Sequence, residues 1–450
     1  MIEGDYDVVV VGAGVAGTAA AFELSKQGRR VALVERDWRE PNRIVGELLQ
    51  PGGVQALETL GLSECLGDMD AIDVHGYAVF KDTSQVPLEY PNGKRGYSFH
   101  HGKFINNLRQ KVKSTNVSCI EATVVDLIKC VSSEQYIGVK VKSNSDKTIY
   151  NIFADLVIVA DGCRSNFRKQ FIPTTPKANS QFVGFILKDC DLPYTYHGHV
   201  ILAKPSPILL YQIGTHDTRI LVDIPHGFNE SLGMDKMEYM KTWIGPQLPQ
   251  SIQPSFYKAL ETEKLRGMDC SWLPGGNNIH RGLVLVGDAQ NMRHPLTGGG
   301  MTVAFWDVIH LTNLLSPLDD LSDVGKVSTQ LAQFSRKRKT LSSVINILAN
   351  ALYGLFSAND DADLMELQNA CFEYFLLGGR CASTPVKLLA GILPQPATLI
   401  GHFFAVAVYS MFLITFRGPV YLIPWNFVRS FFVLSKACDI LFPLLWAEVY

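Results

Sequence analysis

Three glycines and an acid near the start of this chain have the types and spacing to bind a phosphate and a diol. Gly12, Gly14 and Gly17 form a G-x-G-x-x-G string, and Glu35 follows 18 residues after Gly17. In such a string the first glycine permits a tight turn, the second lets a pyrophosphate approach the backbone, and the third lets a helix lie close to a strand. Phosphates then sit on the helix N-terminus, where free amides and the helix dipole favour negative charge. A carboxylate at Glu35 can accept both hydroxyls of a ribose. Two further loops share this character. LVIVADGCRSNFRK places Asp161, Gly162, Ser165 and Arg168 in a D-G-x-x-S-x-x-R arrangement, and GDAQNMRHPLTGGGMTVAF carries Gly287, Asp288 and the run Gly298 to Gly300.

Each loop follows a segment that can place it. YDVVVV, from Tyr6 to Val11, is a continuous Val-rich run, the pattern of a parallel strand buried on both faces. A helical stretch from Thr18 to Gln27 and a second strand, RVALVER, complete a βαβ unit that ends at Glu35. ADLVIVADG, from Ala154 to Gly162, and GLVLVGDAQ read as two more apolar strands, so both acidic loops are also strand ends. Alternating segments from about Val74 to Phe99 and from Phe182 to Ile224 read as a mostly antiparallel sheet broken by Pro and Gly turns. Phe104 to Lys113 reads as a helix, and beyond Val303 the chain turns helical. The fold class is therefore α/β: a Rossmann-like domain interleaved with an antiparallel-sheet domain, followed by helices. The expected division is 1–73, 96–178 and 276–315 for the dinucleotide domain, 74–95 and 179–275 for the sheet domain, and 316–450 for a helical region. Within the last, membrane-associated helices are expected from about residue 388.

The 450 residues carry a net charge of −2, with 47% hydrophobic and 19% charged residues. That balance excludes nucleic acid as a partner, because backbone binding needs a clustered positive surface. The nine cysteines are scattered without a C-x-x-C spacing, which favours reduced thiols on a cytosol-facing protein. No charged-then-apolar export signal precedes the first strand. From Ala397 to Phe416 there is no Asp, Glu, Lys or Arg, which just reaches the roughly 20 residues of a spanning helix. Two later apolar tracts, VYLIPWNF and SFFVLS, are interrupted by charges and prolines and make poor spanning helices. The pattern favours a helical hairpin dipping into one leaflet, with Trp425, Arg417 and Arg429 near the headgroups; a true span and a buried core helix are the alternatives. RKRK, from Arg336 to Lys339, reads as a solvated helix face, with contact to anionic lipid as the second choice.

Three strand-end elements in the order GxGxxG, DG and GD resemble the flavoprotein monooxygenases of the p-hydroxybenzoate hydroxylase type, in which one FAD is gripped by all three. ERDWREPNRIVGELLQPGG, HHGKFINNLR, GDAQNMRHPLTGGGMTVAF and LIGHFFAVAVYS narrow the resemblance to the squalene monooxygenase (squalene epoxidase) family, over essentially the whole chain. Many members carry an N-terminal membrane-associated extension that is not seen here, so attachment is expected to rest on the C-terminal helices.

The resemblance implies epoxidation of squalene by O2 at a reduced flavin, in sterol biosynthesis at the cytosolic face of the endoplasmic reticulum membrane. Microsomal or lipid-droplet association is included in that expectation. With no second G-x-G-x-x-G for a nicotinamide, electrons are expected from a separate NADPH-dependent cytochrome reductase. For FAD it implies Val15 and Ala16 amides at the pyrophosphate, Glu35 and Arg36 at the adenosine ribose, and Arg43 and Arg109 at the cofactor's polar middle. It further implies Val124 at the adenine, Asp288 at the ribitol or pyrophosphate, and Met301 at the start of a helix aimed at the flavin. Gly298, Gly299 and Gly300 are expected to let backbone approach the flavin, so that Gly299→Val should cost flavin before folding. Tyr77 and Gln50 are the expected polar pair beside the flavin. Phe185, Leu187, Leu209, Tyr211, Leu221 and Pro295 are candidate walls of an apolar pocket. Other flavin-dependent lipid oxidoreductases, and prenyl-protein escort proteins, share such a scaffold and are the competing expectations.

Overall fold

The computed structural model describes residues 6–276, 279–358 and 361–449; Met1–Asp5, on which part of the expectation about an export signal falls, lie outside the described residues. The chain begins with β1 (Tyr6–Val11), α1 (Val15–Lys26) and β2 (Val31–Glu35). A short β3 (Leu48–Leu49) runs into α2 (Pro51–Leu60). Next come β4 (Ile72–Val74), β5 (Gly76–Lys81), β6 (Ser84–Glu89), β7 (Gly96–Ser98) and α3 (His101–Lys113). Three long strands follow, β8 (Ser118–Lys129), β9 (Tyr136–Ser143) and β10 (Ile149–Val159). The second half of the chain opens with β11 (Lys177–Lys188), β12 (His197–Ile201), β13 (Ile208–Gly214) and β14 (Asp217–Pro225). Single turns α4 (Phe228–Ser231) and α5 (Lys236–Tyr239) lead to α6 (Gln253–Thr262), β15 (Arg266–Trp272) and β16 (Leu283–Leu285). The remainder is helical: α7 (Gly300–Leu315), α8 (Val324–Phe356), α9 (Ala362–Leu376), α10 (Gly379–Leu389), α11 (Pro396–Phe416) and α12 (Ile423–Val449).

The parallel strands of the first sheet run in the spatial order β8-β2-β1-β10-β16. The far halves of β8 and β10 leave this core and pair antiparallel with β9. The apolar run of β1 has a simple cause. Val8 and Val10 pack in the cluster that includes Leu24 of α1, Leu108 of α3 and Phe305 of α7, while Val9 and Val11 pack in the cluster on the other face. Each fully buried valine contributes about 2 kcal/mol, and no position from Val8 to Val11 is left for a polar residue.

The second sheet has the order β15-β11-β14-β13-β12-β5-β6, antiparallel except for β12 beside β5. Its two faces bury different partners. Ile220 and Val222 of β14 cluster with Tyr239 and Phe256, whereas Leu221 clusters with Leu355, Phe372 and Val433 of the C-terminal helices. Strand alternation therefore corrects two of the proposed pocket walls. Phe185 and Leu187 lie on the α6 face, with Phe185 5.6 Å from the Phe256 ring, while Leu209, Tyr211 and Leu221 lie on the face toward the helices. A small third sheet, β3-β7-β4, is drawn from the stretch between β2 and α3 and carries the segment leading to Gln50.

The two late apolar tracts are not separate: after a 3-10 turn at Val420–Leu422 they run in one helix of 27 residues, α12, with Pro424 in its first turn and Pro443 inside it. Pro424 costs nothing there, because the first-turn amides have no intrahelical acceptor. α11 and α12 both pass as candidate membrane helices by length and composition. They pack together as a hairpin whose tip exposes Val420, Tyr421 and Trp425. Near the tip Arg417 pairs with Glu373 of α9; at the other end Glu448 is buried and accepts from Asn346 Nδ2 at 2.8 Å. The RKRK run is not uniformly solvated: Arg338 is buried and donates to both oxygens of Asp307 at 3.1 and 2.7 Å.

Candidate active site

β1, β10 and β16 are neighbours, so their C-terminal ends bring the three loops side by side. Gly12 has φ +100°, and a Cβ there would lie 2.6 Å from the Ala160 carbonyl oxygen. A Cβ on Gly17 would lie 1.9 Å from the Gly12 oxygen, which enforces glycine where α1 meets its own loop. Gly287, at φ +61°, sits against Ala16, its would-be Cβ 3.1 Å from the Ala16 methyl. The late loop therefore closes on the first one. Gly14 and Gly300 differ from these: a Cβ on either meets nothing within 4 Å. They stand at the N-termini of α1 and α7, where Val15, Ala16 and Met301 offer amides that no intrahelical carbonyl can satisfy. The Met301 side chain itself is buried in the core beneath α7.

Asp161 Oδ2 accepts the Asn166 N–H at 3.0 Å, while its buried Oδ1 has no partner. Burial pushes this carboxyl above its usual range, against the Ser165 and Asn166 hydrogen bonds. Asp288 is exposed at the cleft. Glu35 Oε2 accepts the Ala13 N–H at 2.7 Å, which ties the ribose-type acid to the glycine loop. Arg109 is buried and donates to the carbonyls of Ala13 and Arg39 at 2.9 and 2.8 Å, 3.7 Å from Glu35, so it braces the loop. Arg36 and Arg43 are exposed, and Val124 is buried in the core of the sheet on β8. Two open glycines at helix N-termini, an unpartnered buried carboxylate oxygen and an acid tied to the first turn fit one long ligand carrying phosphates, a ribose and a ring system. These residues fit FAD.

Gln50 and Tyr77 meet in the interior. The Gln50 amide nitrogen donates to the Tyr77 hydroxyl and to the Thr297 carbonyl, the latter at 2.7 Å. Tyr90 OH donates to Gln50 Oε1 at 2.7 Å, and Tyr77 OH lies 3.4 Å from the Thr297 oxygen. Gln50 is completely buried, and burial pushes the Tyr77 phenol up to about 12. A Cβ on Gly298, at φ +61°, would lie 3.4 Å from Gln50 Nε2, so the glycine run abuts this network. Gly299 carries a packing constraint as well. Its Cβ would lie 2.5 Å from Ile345 Cγ2, so the clash of Gly299→Val falls first on the packing of α8.

Several residues that matter have partners that the sequence did not reveal. Arg168 donates to the carbonyls of Gly162, Cys163, Asp288 and Ala289, stapling the DG and GD loops together. Its place in D-G-x-x-S-x-x-R marked it and its local partners, but the Asp288 and Ala289 carbonyls lie 120 and 121 residues away. A buried Glu47–Arg219 pair, at 2.7 and 2.9 Å, anchors the segment that positions Gln50. Asn291 Oδ1 accepts from Arg293 at 2.6 Å and from Asn346 at 3.1 Å; through Asn346 the end of α12 reaches the loop after Asp288.

The fold and this cradle define an FAD-dependent flavoprotein of the monooxygenase class. Solved structures agree at the level of fold. A probable FAD-dependent monooxygenase from Pseudomonas aeruginosa, pqsL, is similar with a TM-score of 0.68 at 19% identity, covering 80% of this chain and 98% of that one. The flavin-dependent brominase Bmp2 has a TM-score of 0.69 at 16% identity, covering 90% and 99%. Residues 7–181 match the family model described as glucose inhibited division protein A, and residues 153–428 match that of squalene epoxidase. Squalene epoxidase erg1 of Aspergillus fumigatus is 47% identical over 99% of this chain and 94% of its own length. Squalene epoxidase 1 of Arabidopsis thaliana is 44% identical over 98% and 83%, and squalene monooxygenase of Mus musculus 43% over 99% and 78%. The chain belongs to the squalene epoxidase family.

Proposed function

We propose that this protein epoxidises the terminal double bond of squalene with O2, giving (3S)-2,3-oxidosqualene, as a step of sterol biosynthesis. The balance is squalene, O2, two electrons and two protons in, and the epoxide and water out. Bound FAD, once reduced, supplies the activation of O2. The chain's residues do the rest. The N-termini of α1 and α7 present amides to the anionic parts of the cofactor. Gly12, Asp161, Gly287 and Asp288 line its polar length, with Glu35 and Arg36 at the ribose end, Val124 at the adenine, and Arg43 and Arg109 along its middle.

The observation that carries the reading is the buried Gln50–Tyr77–Tyr90 network beside Thr297, at the edge of an apolar cluster between the second sheet and the C-terminal helices. A thirty-carbon hydrocarbon offers no hydrogen bonds, so it is held by desolvation and shape. Leu209, Tyr211 and Leu221 lie on the face it would meet. Tyr77 and Gln50 form the one polar end, where the alkene is oriented and water is excluded.

The division 1–73, 96–178 and 276–315 for cofactor, 74–95 and 179–275 for substrate, and 316–450 for helices fits this assignment of tasks. The electron donor is a separate NADPH-dependent reductase, since the sequence carries a single G-x-G-x-x-G. The α11–α12 hairpin docks on the lipid of the endoplasmic reticulum membrane from the cytosolic face. Lying along the body with Arg417 paired at the tip and Glu448 buried at the root supports an in-plane rather than a crossing arrangement. Turnover of squalene with a reductase and NADPH, in air and without oxygen, tests the function. Oxidosqualene should form only in air, and its absence there would refute the reading.

A further inference from the structure

Asp223 is fully buried on β14, on the sheet face toward the C-terminal helices, and among the described residues no lysine or arginine pairs with it. Its Oδ2 accepts from the Tyr353 hydroxyl of α8 at 3.1 Å, and its Oδ1 faces the Cys270 thiol of β15 at 3.7 Å. Burial, together with the Asp223 charge, pushes that thiol well above its usual range, so it stays protonated and donates. Opposite Oδ1, at 3.8 Å, stands His294 Nε2, which is buried and has no hydrogen-bond partner. The other ring nitrogen, Nδ1, accepts the Leu296 N–H at 3.3 Å. A neutral imidazole that accepts at Nδ1 carries its proton at Nε2. The single donor of the ring therefore lies on the side of the buried carboxylate, 3.8 Å from Oδ1. The ring is also clamped, stacked on Tyr353 at 3.8 Å and edge-on to Phe182 at 5.6 Å.

His294 caps the turn Pro295–Thr297, and the Thr297 carbonyl is the acceptor for Gln50. We propose that Asp223 and His294 are a positioning pair for the oxygen-transfer site. The carboxylate fixes the imidazole as its Nε2–H tautomer, the imidazole fixes the turn, and the turn holds the carbonyl that orients Gln50 and Tyr77. Tyr353 extends the chain of contacts to α8, so the helices that wall the apolar cluster and the polar end of the site share one support. The inference rests on the reading of Gln50 and Tyr77 as that polar end. Cys270, Tyr353 and Tyr239 are the other titratable groups around the carboxylate, and all three are phenols or thiols whose ionisation burial opposes.

The test uses the FAD-loaded full chain. The ring-nitrogen NMR spectrum of His294, recorded without substrate at neutral pH, should report the Nε2–H tautomer, and Asp223→Asn should mix the two tautomers. Asp223→Asn and His294→Leu should each lower kcat on squalene about 10- to 100-fold, with KM and FAD affinity within about twofold. His294→Asn keeps an acceptor for the Leu296 N–H and should recover about tenfold over His294→Leu. If Asp223→Asn fails to fold, Tyr353→Phe, which keeps the stacking and removes one donor, should show a loss of about threefold with a shifted ring spectrum. A wild-type ring protonated on Nδ1 or on both nitrogens would overturn the proposal. So would an Asp223→Asn enzyme with unchanged kcat, or one that loses FAD and rate in parallel. Stoichiometric zinc that vanishes in Asp223→Asn and Cys270→Ser would also overturn it, because Nε2 would then be a ligand and not a donor. Failure of the wild type to make oxidosqualene would sink the functional reading alone, since the tautomer is measured without turnover.

Discussion

Removing the Tyr77 hydroxyl isolates one hydrogen bond in a site that water does not reach. In wild type the Gln50 amide nitrogen has two acceptors, Tyr77 OH and the Thr297 carbonyl, and its oxygen accepts from Tyr90. Tyr77→Phe leaves one Gln50 N–H without an acceptor at a completely buried residue. An unsatisfied buried donor costs about 1–3 kcal/mol. At about 1.4 kcal/mol per tenfold, that penalty lowers the rate about 5- to 150-fold if it is felt entirely in the transition state. The phenyl ring keeps its edge contact with Tyr90, at 5.9 Å between centroids, so packing is retained. The assay is oxidosqualene formed per bound flavin, beside FAD absorbance and thermal stability of the same preparation. Because burial holds the phenol up to about 12, Tyr77 stays protonated, and the ratio of wild-type to variant rates should be flat between about pH 6 and 9. Full epoxidation with normal FAD content would refute the assignment of Tyr77. Loss of stability with an unchanged rate per flavin would reduce the network to a packing role.

Gly300→Val should lower FAD content while leaving the apoprotein's melting temperature within a few degrees, because its Cβ enters open space; Gly299→Val should lower both, because its Cβ meets Ile345. Arg168→Ala should weaken FAD binding at least about tenfold and cost about 3 kcal/mol of stability by urea titration, since four carbonyls of two loops lose their common donor. Burial lowers His101 and His199 to about 4, with backbone hydrogen bonds opposing it. Between the unfolded value of about 6.5 and that folded value the unfolded chain binds more protons, so stability is present above about pH 6.5 and is lost as pH falls toward 4, by up to about 3 kcal/mol per histidine. Urea midpoints across that range should fall with acid, and His199→Gln should flatten the slope by about half.

Local backbone demands were legible in the sequence. Gly12 at positive φ, Gly17 against its own loop, and a β1 with both faces buried are properties of short segments, so type and spacing reveal them. That three such segments end adjacent strands, and so hold one ligand, was recoverable from their order and from the family resemblance. Which face a strand residue takes was not always so. Phe185 and Leu187 look like their neighbours in sequence, and only the packing of α6 against one side of the second sheet separates them from Leu209 and Leu221. α12 read as broken tracts because charge and proline counts do not reveal that Arg429, between the tracts, finds Glu366 on α9.

By itself the sequence determined the cofactor cradle, since phosphate and ribose recognition depends on glycine conformations and strand-end acids fixed within a few residues. The tertiary structure alone decided the support of Gln50 and of the loop after Asp288. Gln50 meets Thr297 across 247 positions, Arg338 meets Asp307 across 31 and Glu448 meets Asn346 across 102, and Asp223 on the second sheet faces His294 in the loop before α7. Buried polar groups must be paired wherever the fold happens to bring a partner, and no local pattern encodes a partner that the chain reaches only after folding.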